Sequence, residues 1–250
     1  MELDDYSNIL EIFPKEWFEN DEKKHPLYIL NKKKKYVEKY FENFDYNLAV
    51  MKKGKLISKN LKVKLRNHDQ FEDTLIEIKV AVYLLENGIN VILPSSFPDI
   101  IVPEENAIIE VKNIHISEKL SDSNGDYAIL VDDIKRIWDK ITDEVIDKLN
   151  EKNINLILVN APVGMDFDEF EDLFVFCKRT KGGVNYIFDK KTMQRIFPFN
   201  GEFSRKENKI ISGVIMMKKD YFKGILNPLN GKEISHKLID IFNLKRITFN

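Results

Sequence analysis

The run INLILVNAP (residues 154–162) constrains the fold more than any other stretch. An unbroken apolar segment of strand length marks a strand buried on both faces, which needs layers on either side. The segments before it supply those layers. HDQFEDTLIEIKVAVYLLENG (residues 68–88) reads as a long helix ending at Gly88, where glycine suits a left-handed cap. Three strand-length runs follow: INVILP, closed by Pro94, then PDIIVP, bracketed by prolines, then AIIEVKNIHI. After the polar loop SEKLSDSNGD, a helix is expected from about Tyr127 to Asn150. Ile134, Ile137, Trp138, Ile141, Val145 and Leu149 form its apolar face. The order helix, three strands, helix, strand implies an α/β fold with a central mixed β-sheet flanked by helices.

The flanking segments are less patterned. Residues 1–65 are expected to form a mainly helical N-terminal region, serving recognition or dimerisation. FPKEWFEN and KKKKYVEKYFENF look helical, and the second places Tyr36, Val37, Tyr40, Phe41 and Phe44 on one stripe beside the basic residues 32–35. Residues 66–250 then form the α/β domain, with its core at 68–160 and a C-terminal extension at 161–250. In that extension DEFEDLFVFCKR reads as helix, KIISGVIMMK as strand and GKEISHKLIDIFN as a terminal helix.

Composition excludes several classes. A hydrophobic fraction of 43% supports a sizeable core and argues against wholesale disorder. The net charge of -2 means that nucleic-acid binding would need locally concentrated Lys and Arg. The single cysteine, Cys177, excludes an intrachain disulfide framework and a Cys-based zinc site. Its apolar setting, LFVFC, reads as a buried inert thiol. No apolar run has the ~18 residues that a spanning helix needs, so no membrane partner is expected. The acidic start MELDDYSNIL has no signal-peptide layout, and a cytoplasmic setting is expected.

Chemistry concentrates in FPDIIVPEENAIIEVKN (residues 97–113), which sets Asp99, Glu110 and Lys112 among aliphatic residues. Strand interiors rarely hold charges unless these are paired or bind a metal. Side chains alternate along a strand, so Glu110 and Lys112 share a face while Ile109 and Val111 point the other way. Pairing through the turn VPEENA would bring Asp99 near Glu110. The preceding helix adds Glu77. Glu72, Lys79 and Glu86 form its polar stripe, and Glu77 lies about 140–180° around from them. Its neighbours at helical spacing are Thr74, Ala81 and Leu84. Three carboxylates against one ammonium leave excess negative charge, which costs several kcal/mol in a partly buried cleft and which a divalent cation cancels. Oxygen-only ligands select Mg²⁺ or Mn²⁺. Such a cation neutralises phosphate and makes a bound water more acidic, and Lys112 would orient or help deprotonate that water, or steady charge on phosphorus.

These residues resemble the PD-(D/E)XK nuclease superfamily, the restriction-endonuclease-like fold. Pro98 and Asp99 match the PD, Glu110, Val111 and Lys112 match the ExK, and Glu77 matches the helix glutamate ahead of the sheet. The resemblance covers about residues 68–160. It implies a magnesium-dependent endonuclease, with DNA favoured over RNA because the family leans that way, and often a homodimer for cutting both strands. It further implies that Asp99, Glu110 and the Val111 carbonyl hold Mg²⁺ (or Mn²⁺), with Glu77 acting through water or a second ion. A restriction or defence role fits. The fold does not name the substrate, and a catalytically inactive module that binds nucleic acid or a partner protein is the alternative.

Each residue also has a plainer reading. Asp99 suits a proline turn, Glu110 and Lys112 a solvated ion pair, and Glu77 a buried acid paired with a lysine. Lys135, Arg136 and Lys140 on the later helix could hold phosphates, or form an ordinary charged face near Asp132 and Asp133. Arg179 and Lys181, in the basic stretch RTKGG, could touch a nucleic-acid backbone or simply connect elements. Asn113 and His115 follow the ExK, and His115 reads better as a strand-end surface residue.

Overall fold

The computed structural model describes residues 3–19, 24–32, 37–113, 131–161, 206–218 and 221–246. It also describes 167, 174, 179–180, 183–184, 187–188, 195–196 and 203. The chain divides into two compact units, Met1–Pro103 and Glu104–Asn250.

The first unit is mainly helical. Its helices are α1 (Ser7–Ile12), α2 (Lys15–Glu19), α3 (Pro26–Lys32), α4 (Glu38–Lys53), α5 (Lys59–Arg66) and α6 (Phe71–Glu86). The aromatic stripe of α4 is its core face: Phe41, Phe44, Leu48 and Met51 are buried. Phe13 centres a cluster with Trp17, His25, Phe44 and Phe71. Polar side chains hold both ends of the short α1. Asp45 of α4 accepts from the backbone N–H groups of Asn8 and Ile9 at 2.8 and 2.9 Å. The Arg66 guanidinium donates twice to the Ile12 carbonyl, at 2.8 and 2.5 Å. These contacts satisfy backbone groups that a six-residue helix cannot pair internally. Helix α6 stops as expected, with Gly88 at φ +71 beyond its last turn.

Strand β1 (Ile100–Val102) also lies in this unit. The expected strand INVILP is reduced to one bridge, in which Ile92 and Ile101 exchange two backbone hydrogen bonds of 2.9 Å. The partner strand is only three residues long and offers backbone for little more.

In the second unit, β2 (Ala107–Asn113), β3 (Ile154–Asn160), β8 (Gly213–Lys218), β9 (Tyr221–Leu226) and β10 (Leu244–Lys245) lie side by side in that order. The pairs β2–β3, β3–β8 and β9–β10 are parallel, whereas β8–β9 is antiparallel. The fold is therefore α/β with a mixed sheet. Parallel neighbours need a crossover, and α7 (Val131–Val145) lies in the connection from β2 to β3. Trp138, Ile141 and Val145 of α7 are buried, and Trp138 meets Phe174 edge-on. Strand β3 is buried along Ile154–Val159, as its unbroken apolar run requires. A short terminal helix, α8 (His236–Ile241), follows Ser235, whose hydroxyl accepts from Leu238 N–H.

Two small antiparallel ladders stand apart from this sheet: β4 (Arg179–Thr180) with β5 (Gly183–Val184), and β6 (Ile187–Phe188) with β7 (Arg195–Ile196). Of the stretch RTKGG, Arg179, Thr180 and Gly183 lie in the first of these ladders, and residues 181–182 fall outside the described residues. The expected helix DEFEDLFVFCKR falls largely outside the described residues, as does Cys177, and its last residue, Arg179, lies in β4. No helix among the described residues is long and apolar enough to cross a membrane.

Candidate functional site

The first unit holds Glu77 and Asp99. Glu77 sits in the middle of α6, on the side shared with the buried Thr74, Ala81 and Leu84, and its side chain is only 12% exposed. Its carboxylate is engaged: Lys64 Nζ, from α5, donates to Oε1 at 3.2 Å and Oε2 at 3.1 Å. Burial nonetheless pushes the Glu77 carboxyl up to about 7, and the negative charge of Asp99 adds to the rise. The Lys64 charge and hydrogen bond pull the other way without overcoming it. Asp99 is half-buried, in a bend just after the cis Phe97–Pro98 peptide and just before β1.

The second unit holds Glu110, Val111 and Lys112 on β2. Glu110 is buried at 6% exposure, and Lys112 Nζ lies 3.1 Å from its Oε1. The i, i+2 spacing along the strand sets this pair on one face, as alternation requires. Lys112 also reaches Glu144 Oε2 of α7 at 3.5 Å. Val111 stands opposite Leu158 in the β2–β3 ladder. Two residues on, Asn160 Nδ2 donates to Asn113 Oδ1 at 2.8 Å across the same ladder, so Asn113 is tied to the neighbouring strand.

The remaining candidates divide. Lys140 is exposed on α7. Lys135 and Arg136 lie on the same helix, and Arg179 lies in β4, but their side chains fall outside the described residues. Lys181 and His115 lie wholly outside them.

Two participants escape the sequence pattern. Lys64 belongs to the amphipathic KNLKVKLR, and nothing in its spacing points toward Glu77. Glu144 sits one residue before Val145 on α7, and helical period alone gives it no distinction from Asp143.

Among the described residues, no group of three or more His, Cys, Asp or Glu side chains is arranged to hold a metal ion. Carboxylate donors would suit a hard cation. Every acid involved offers oxygen only, and Mg²⁺ is commonly held by one or two carboxylates with water and phosphate completing its shell. The effect of Asp99 on Glu77 is the crowding of negative charge that a divalent cation relieves. No family model matches the chain, and no curated protein or solved structure matches it.

Proposed function

We propose that the chain is a metal-dependent endonuclease with a restriction-endonuclease-like core, hydrolysing phosphodiester bonds of nucleic acid, DNA in preference to RNA. The observation that carries the reading is the Glu110–Lys112 couple: a buried carboxylate and an ammonium 3.1 Å apart in the interior of β2. Charges are held there at a desolvation cost of several kcal/mol per ion, which a purely structural strand has no need to bear. The order PD, turn, ExK around it supports the same conclusion.

In this reading Asp99, Glu110 and the Val111 carbonyl hold Mg²⁺ or Mn²⁺, and Glu77 acts through water or on a second ion. The cation neutralises phosphate charge and acidifies a bound water. Lys112 is flanked by Glu110 and Glu144, with Nζ 3.1 and 3.5 Å from their carboxyl oxygens. From there Lys112 would orient or help deprotonate the attacking water, or steady charge on phosphorus. Cutting both strands of a duplex would call on two copies of the chain, in a cytoplasmic restriction or defence setting.

The test is a cleavage screen on supercoiled, linear, branched and single-stranded DNA and on RNA, with Mg²⁺, with Mn²⁺ and with chelator. Metal-dependent nicking or linearisation is expected, lost in Lys112→Ala and Asp99→Asn. Cleavage undiminished in Lys112→Ala would remove that residue from the mechanism. Absence of cleavage on every substrate with either metal would end the endonuclease reading.

One observation favours a second reading. Glu77 is already engaged by Lys64, and no cluster of three acids occurs among the described residues. A module without catalysis, gripping nucleic acid or a partner protein, fits those facts. Calorimetry with Mn²⁺ separates the two, since such a module has no reason to bind the metal.

A further inference from the structure

A cleft of about 640 Å³ in the second unit is lined by three lysines, Lys206, Lys209 and Lys232, with Glu151, Asn230 and Leu229 among its other walls. Three ammonium groups against one carboxylate give this cleft a net positive charge, while the whole chain carries -2. Among the described residues, none of the three ammonium groups is paired with a carboxylate. The three lysines converge on one cleft.

The backbone that carries them is fixed from within. Lys206 and Lys209 flank the start and body of the 3-10 turn Glu207–Ile210. Asn227, 5% exposed, donates through Nδ2 to the carbonyls of Asn208 and Ile211 at 3.2 and 2.8 Å. Asn230 Nδ2 donates to the Lys209 carbonyl at 2.7 Å, and Asn155 Nδ2 to the Ile210 carbonyl at 2.9 Å. Ser212 Oγ closes the set by donating to Asn230 Oδ1 at 3.0 Å. Lys232 is anchored too, with Nζ donating to the carbonyls of Glu151 and Asn153. These two bonds leave its charge uncancelled and one of its three N–H donors for a ligand. A network of side-chain amides that holds a lysine-bearing turn pre-organises the charge, so less ordering entropy is lost on binding.

We propose that this cleft binds the phosphate backbone of nucleic acid. The groups presented are lysine point charges with an exposed aliphatic wall at Leu229. That is a chemistry for tracking phosphates rather than for reading base edges. The identity of the polyanion rests on the nuclease reading above, but binding here does not require cleavage.

The experiment measures anisotropy of fluorescein-labelled duplex and single-stranded DNA against the full chain, over a series of salt concentrations, with chelator present. Lys206→Glu/Lys209→Glu is compared with Lys53→Glu/Lys59→Glu, an equal change of charge on exposed helix positions of the first unit. Expected are at least a tenfold loss of affinity in the cleft variant and a fall of about 2 in the slope of log K against log salt, with little change in the control. Equal losses in the two variants would show a general charge effect and overturn the proposal. So would an unchanged cleft variant with a wild-type thermal melt, or binding of inorganic phosphate without binding of DNA. Lys206→Gln/Lys209→Gln, which keeps both chains polar, gives the same reading if the reversed variant melts early. Because no metal is present, failure of binding here and failure of cleavage are separate results.

Discussion

Lys64 Nζ lies within 3.2 Å of both carboxyl oxygens of Glu77, yet that carboxyl is held near pH 7 rather than in the ordinary carboxylate range. Burial outweighs the ion pair, and Asp99 reinforces burial. The folded chain therefore binds this proton more tightly than the unfolded chain does. Its contribution is present in full below about pH 4.5 and is lost as pH rises through about 7. The magnitude is about 3 kcal/mol. Denaturant titrations in chelator should show stability falling across that window in the wild type, with Glu77→Gln removing the dependence. Lys64→Met should move the Glu77 carboxyl further up, as a carbon-13 titration of its side chain would record. A flat profile in the wild type would remove the burial argument.

Glu144 holds one side of the Lys112 ammonium at 3.5 Å but is 49% exposed. An ion pair that open contributes ~0–1 kcal/mol to stability. Glu144→Gln should therefore melt with the wild type while lowering the cleavage rate, with KM for DNA little changed. Loss of activity together with loss of the fold would make Glu144 a structural residue.

His25 is buried at 1% exposure and its tautomer is determined by its neighbours. Leu27 N–H donates to Nδ1 at 3.2 Å, so the ring proton sits on Nε2 and is donated to the Leu65 carbonyl at 2.9 Å. His25→Phe keeps a ring beside Phe71 and Trp17 but strands both backbone groups. A loss of about 2–4 kcal/mol is expected in urea denaturation. Val63→Ala, on an exposed face of the same unit, should change stability by less than about 0.5 kcal/mol.

Gly224 lies in β9 where the chain passes very close to its neighbours. A Cβ there would stand 2.5 Å from Leu244 Cδ2 and 2.7 Å from the Val214 carbonyl oxygen. The second contact is with backbone and cannot swing away. Gly224→Ala should destabilise by about 3 kcal/mol or more through overpacking. Gly231→Ala meets nothing within 4 Å and suffers only from its φ of +70, a cost of ~1–2 kcal/mol. Equal melting temperatures for the two variants would contradict the close approach at β9.

Much of this arrangement was legible in the residues. The long periodic run of α6, the unbroken apolar run of β3 and the alternation of Ile109, Glu110, Val111 and Lys112 each carry their own signal. Periodicity also identified Glu77 as the inward-facing acid of α6. It names the face on which a residue lies, though, and not the side chain that meets it there, so Lys64 and Glu144 stayed hidden. Strand β9, YFKGIL, carries Gly224 at a buried position where alternation would ask for a packing residue, and β10 is too short to hold a pattern. INVILP had the composition of a strand, but strand length also depends on the partner, and β1 offers three residues.

The strand order of the second unit bears on how the chain acquires its shape. Ala107 pairs with Ile154, and Leu156 with Gly213, so neither ladder closes until a long intervening segment has been gathered in. Such non-local pairing is slow because loop closure precedes any reward from the contacts. The first unit relies on helices, whose turns form locally. Pulse-labelled amides of α4 and α6 should gain protection well before those of β3 and β8, leaving an interval in which unpaired β-strands depend on dilution or chaperones to avoid aggregation.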